Sequence, residues 1–208
     1  MDKEIKHKLR QLIATAASKI DRTSFWQEPH YTSALFGKLH NEIIKNDDGQ
    51  YVHLMFSASN DRGPNSAENA TGVDIGLVFK WIDINGKEFE KAVLLQAKNH
   101  LMNLKKADQE SLEGQCKRMA EITSSYVVMD CPYDGSIPVI FDQNSDPPFW
   151  TPPPILFDNY IIDYILECKR GDTDDRVIEV AKRADRQLTI KTNAPRPRPK
   201  PKPAKRTP

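Results

Sequence analysis

The chain of 208 residues is 38% hydrophobic and 28% charged, which suits one well-buried soluble domain. No apolar run reaches the roughly 18 residues of a membrane span, and the opening MDKEIKHKLR lacks the apolar stretch of a signal peptide, so the expectation is a cytoplasmic protein without membrane contact. Three widely spaced cysteines, Cys116, Cys131 and Cys168, fit neither a disulfide framework nor a zinc site and read as buried thiols.

In chain order, apolar residues at helical spacing predict an amphipathic helix over 3–20. The segment 21–24 breaks it, and Phe25 and Trp26 are expected to plug the core beneath that loop. Proline at the first helical position predicts a second helix from Pro29 to about Lys45, ended by Asn46-Asp47-Asp48-Gly49. On that helix Glu28, Leu35, Leu39 and Glu42 share one angular sector, so two acids flank a core-facing seam. YVHLMFS, residues 51–57, predicts a strand, and the turn-forming residues 60–72 predict a surface loop.

Residues 71–100, TGVDIGLVFKWIDINGKEFEKAVLLQAKNH, predict two strands joined by a turn at Asp83-Ile84-Asn85-Gly86-Lys87. Alternation sends Gln96 and Lys98 to the same side of the second strand. If the strands pair with Asp74 near Lys98, an acid, an amide oxygen and an ammonium meet at one spot, the outline of a divalent-metal site. A helix over 108–123 between this strand and one at 126–129 predicts a crossover connection with helices packed on the sheet. A further strand is expected at 137–141.

The proline-rich stretch 146–154 predicts irregular surface chain. Helices are expected over 155–169, capped by Gly171, and over about 173–187. From Asn193 onward proline alternates with basic residues, which predicts a disordered, extended tail. Seven basic and no acidic residues lie beyond residue 190; setting them aside turns the net charge of +1 into −6 for residues 1–190. The expected organisation is therefore one α/β domain over 1–190, with a mixed central sheet flanked by helices. Its core covers about 25–141, a helical extension covers 155–190, and a Pro/Lys/Arg-rich tail covers 191–208.

The order of elements, with GVDIGLVF around Asp74 and VLLQAKN around Gln96 and Lys98, resembles the PD-(D/E)XK nuclease superfamily. The variant is the one in which glutamine replaces the second acid, as in Mrr-like restriction enzymes. The resemblance covers roughly residues 25–141 and implies a restriction-endonuclease-like fold and a Mg²⁺-dependent endonuclease, acting on DNA rather than RNA. It further implies a role in prokaryotic restriction or anti-phage defence, and by analogy a homodimer.

The chemistry of the residues agrees with that implication. Phosphodiester hydrolysis needs a Lewis acid that neutralises transition-state charge and acidifies a water. Mg²⁺, or Mn²⁺ in its place, takes hard oxygen ligands, which Asp74 and the Gln96 amide supply. Glutamine is uncharged, so a further carboxylate gains importance: Glu28 is the preferred helix acid and Glu42 the fallback. Lys98 cannot bind a cation and would orient the water and stabilise charge on the phosphate.

Nucleic-acid contacts are expected from Gln115, from His100, and from Arg196, Arg198, Lys200 and Lys202 of the tail, whose cations attract phosphate without sequence preference. The tail's proline spacing also suits a protein partner. The alternative reading of the whole is a catalytically inactive nuclease-fold module that binds nucleic acid or protein, with Asp74 and Lys98 a structural ion pair. Trp26, Trp81 and Trp150 read as core or edge aromatics in preference to base-stacking platforms.

Overall fold

A computed structural model describes residues 1–59 and 70–197. In chain order the elements begin with helices α1 (Lys3–Ser18) and α2 (Glu28–Leu39), then strands β1 (Ile43–Lys45), β2 (Tyr51–Ala58), β3 (Ile75–Ile82) and β4 (Glu88–Asn99). Helix α3 (Lys106–Ile122) and strands β5 (Tyr126–Cys131), β6 (Val139–Gln143) and β7 (Trp150–Leu156) follow. After them come a short α4 (Phe157–Asn159) that continues as a π-helix (Tyr160–Ile165), helix α5 (Asp175–Lys182) and strand β8 (Arg186–Thr192).

The strands form a single mixed sheet in the order β1-β2-β8-β3-β4-β5-β6-β7. β8 runs parallel to β3 and β5 parallel to β4, while the other neighbours are antiparallel. Both faces are covered, as a sheet containing parallel pairs requires. Val93, Leu95 and Ala97 of β4 pack with Ile75, Leu77 and Phe79 of β3 against α1, α2 and the 157–165 helical segment. Ala92 and Leu94, with Val78, pack instead against α3 and α5. The expected α/β class, with a mixed sheet flanked by helices, is what the chain forms. No helix among the described residues is long and apolar enough to cross a membrane.

Four expectations are corrected. Helix α2 stops at Leu39, because His40 is extended and Asn41 takes the left-handed conformation at φ 61°, where asparagine is tolerated. The residues after it form β1, and Asn46 to Gly49 turn a β1–β2 hairpin closed by Asn46 N–H to Gln50 C=O at 3.1 Å. The proline-rich stretch supplies β7 at the sheet's edge, with Pro152, Pro153 and Pro154 in the register shift between the Thr151 and Ile155 pairs. Residues 155–190 do hold two helical segments, but the second, α5, ends at Lys182 and the chain re-enters the sheet as β8, between β2 and β3. Residues 191 and 192 therefore belong to the sheet; of the expected tail, residues 198–208 lie outside the described residues. Finally, Phe25 and Trp26 do not plug the core. They stand 38% and 59% exposed.

Close approach of α5 to β3 depends on Gly76, where any Cβ would overlap the Ala181 carbonyl. Gly76→Ala should destabilise the protein by about 1–3 kcal/mol through overpacking, measured by urea unfolding. On the same sheet the buried Lys91 ammonium donates to the Arg170 carbonyl and lies 5.3 Å from the Trp81 ring centre. Burial pushes its pKa down to about 8 from 10.5. Between those values the unfolded chain holds the extra proton, so stability rises with pH across that window as the buried charge is lost. Wild type should gain stability relative to Lys91→Met between pH 8 and 10; parallel pH profiles would show that Lys91 does not titrate there.

Candidate functional site

The pairing of β3 with β4 builds the site. The last ladder pair is Ile75 with Leu95, and Asp74 N–H continues the bonding to Leu95 C=O at 3.1 Å, so Asp74 lies beside Gln96. The alternation seen in the core sends Asp74, Gln96 and Lys98 toward the α3/α5 face. Gly72, at φ 76°, bends the chain into Asp74 and lies directly against the Gln115 backbone of α3, closing that side.

Asp74 and Gln96 are both buried. One Asp74 oxygen, Oδ1, pairs with the guanidinium of buried Arg186, which β8 carries beside Ile75. Neither Asp74 Oδ2 nor Gln96 Oε1 has a hydrogen-bond partner among the described residues. The Gln96 amide nitrogen donates to Ala97 C=O at 3.3 Å. Two buried acceptor oxygens on adjacent strands thus stand unsatisfied, an arrangement that costs stability unless a cation or donor meets it.

Lys98, half-buried, ends the strand. Its Nζ lies 3.8 Å from Glu28 Oε1, while Glu28 Oε2 accepts from Asn99 Nδ2 at 3.2 Å. Lys98 thus meets Glu28, not Asp74, whose ion pair is with Arg186. The parallel register of β5 adds Asp130 next to Lys98, with Oδ1 accepting from Leu101 N–H at 3.1 Å. Among the described residues no three His, Cys, Asp or Glu side chains converge as a ready metal cluster. A cation here would rest on Asp74 and Gln96; both oxygens of Glu28 are engaged by Lys98 and Asn99.

No family model, curated protein or solved structure matches the chain. The geometry therefore carries the functional argument alone.

Other expected site residues are dispersed. Glu42 is exposed beyond the C-terminal end of α2, because the helix that would have aligned it with Glu28 ends at Leu39. Gln115 is buried on the sheet-facing side of α3 with Leu112, Cys116 and Met119. Arg196 stacks its guanidinium 3.9 Å over Phe89 and lines a cleft of about 470 Å³ with Trp81 and Ile84. That cleft lies at the other end of the sheet, since Thr192 pairs with Trp81 and β3 is about 26 Å long. Arg198, Lys200 and Lys202 lie outside the described residues. His100 remains near Lys98, exposed, in the left-handed conformation at φ 52°.

Three site residues escape sequence reasoning. Asp130 lies in β5, which runs two residues beyond the apolar run that predicted it. Arg186 sits in a charged stretch that reads as helix, although alternation of Leu188 and Ile190 in RQLTIKT was the available strand signal. Arg22 lies in the loop after α1 and is buried; it donates to Asn99 Oδ1 at 2.7 Å and to Phe25 C=O at 2.6 Å. Two buried thiols near the site are no nucleophiles: burial pushes Cys116 up to about 12 and Cys131 higher still.

Breaking a buried pair leaves one charge uncompensated. Arg186→Ala should therefore lower stability by about 3–5 kcal/mol in urea unfolding. The Asp74→Ala/Arg186→Ala double variant should lose less than the sum of the singles; strict additivity would mean that the two groups do not interact.

Proposed function

We propose that the protein is a metal-dependent phosphodiester hydrolase acting on DNA, similar in its D-QxK arrangement to the PD-(D/E)XK nucleases. The observation that carries this reading is the pair of buried, unsatisfied oxygens, Asp74 Oδ2 and Gln96 Oε1, on adjacent strands with Lys98 two residues on. A carboxylate and an amide oxygen are the hard donors that Mg²⁺ or Mn²⁺ takes, so the residues fit the ion. When bound, the ion supplies Lewis-acid neutralisation of phosphate charge and a more acidic water.

The chain's own groups do the rest. Lys98 presents an ammonium to a phosphate oxygen or to the attacking water, where charge develops. Glu28, held by Asn99, keeps that ammonium at the mouth of the site through its 3.8 Å contact. Arg186 neutralises the other oxygen of Asp74, which keeps the carboxylate ionised in a buried setting.

The same ion pair favours a second reading. With Arg186 already countering Asp74, the site offers less net negative charge to a cation, as a nuclease-fold module that binds nucleic acid without cutting it would. Purified full-length protein with supercoiled plasmid separates the two. On the hydrolase reading, Mg²⁺ or Mn²⁺ supports nicking that EDTA stops, that Asp74→Ala abolishes and that Lys98→Ala slows by about 10²–10³-fold. Binding without nicking under either metal would establish the second reading instead.

A further inference from the structure

Beside Lys98 the chain presents an exposed aromatic surface. Trp26 is 59% exposed, and Phe25, Tyr133 and His100 are exposed next to it. The backbone that carries Phe25 and Trp26 is tied down, and Tyr133 and His100 are held through their rings. The Arg22 guanidinium lies 4.3 Å from the ring centres of both Tyr31 and Tyr133 and donates to Phe25 C=O and Asn99 Oδ1. The Trp26 carbonyl accepts from Asn99 Nδ2 at 2.9 Å and from the Tyr133 hydroxyl at 3.1 Å. His100 stacks on Tyr133 with centroids 4.4 Å apart and planes 5° from parallel. The two rings are close to parallel, as in a stack, and the His100 side chain is exposed.

The same Asn99 amide that holds Trp26 also holds Glu28, the partner of Lys98, so the aromatic surface and the candidate site share one support. Lys105 and Lys106 are exposed at the start of α3, five and six residues after His100, with Lys106 3.9 Å from Glu110. Exposed rings on a tied-down backbone match a chain of unpaired bases. A duplex buries its bases in the stack and offers these rings nothing to cover.

We infer that Trp26 and His100, the latter backed by the Tyr133 ring, form a base-stacking platform that selects single-stranded nucleic acid, or the unpaired end of a duplex, for the neighbouring site. This takes its ligand class from the phosphodiester reading but needs no cleavage for its test.

The full-length protein in EDTA is titrated with labelled oligo(dT) of about twelve nucleotides, within the span of known single-strand sites, and with a blunt duplex hairpin of equal length. Trp81 and Trp150 are 3% and 8% exposed, so quenching of tryptophan fluorescence by the oligonucleotide reports Trp26. Expected are quenching, tighter binding of the single strand than of the hairpin, and a roughly five- to hundredfold loss of single-strand affinity by anisotropy in Trp26→Ala and in His100→Ala. Trp26→Phe should keep most of the affinity, and all three variants should retain the wild-type melting curve. Equal affinity for both oligonucleotides, or single-strand binding unchanged in Trp26→Ala, overturns the inference and returns the aromatic surface to a protein partner. Single-strand binding without nicking by either metal leaves the platform standing and removes the hydrolase reading. Plasmid nicking without a single-strand preference does the reverse.

Discussion

A carboxylate buried at the start of a central strand must find a counter-charge, and in this chain Asp74 finds it in Arg186. The two residues are far apart in sequence and are brought together by β8 entering the sheet parallel to β3, with Arg186 beside Ile75. The pair therefore locks the C-terminal strand to the strand that opens the site. It engages one carboxylate oxygen and leaves the other without a partner among the described residues.

This constraint gives the sheet two unlike ends. At one stand Asp74, Gln96, Lys98 and Arg186, with Glu28 and the aromatic cluster at the rim. At the other, Arg196 stacks on Phe89 and the buried Lys91 ammonium faces the Trp81 ring. Because β8 and β3 run in the same direction, the chain leaves the sheet at the end remote from the candidate site. Charge in the residues after β8 thus begins about one strand length away from Asp74, and the cations at the site are Arg186 and Lys98.

Around Lys98 the polar groups form a chain of support. Arg22 fixes Asn99, and Asn99 fixes both Glu28 and the Trp26 backbone; Glu28 in turn stands against Lys98. Networks of this kind, anchored on a buried arginine, hold side chains in one geometry at the edge of solvent. Asp74 Oδ2 and Gln96 Oε1 have no partner in that network among the described residues.

Local sequence determined the elements whose pattern is self-contained. Alternation and turn residues were enough for the β3–β4 hairpin and its Asp74, Gln96 and Lys98, and helical spacing with flanking strands was enough for the β4-α3-β5 crossover. What failed was everything decided by pairing at a distance. Whether residues 186–192 form a strand depends on an open slot between β2 and β3, which no window of sequence records. The end of α2, and with it the exclusion of Glu42, depends on Asn41 turning the chain into a hairpin with β2. The ion partner of Asp74, the exposure of Trp26 and the stacking of His100 on Tyr133 are likewise set by which surfaces meet. Side-chain period is a property of a short segment, whereas counter-ions, neighbours and exposure belong to the assembled sheet, and only the tertiary structure could decide them.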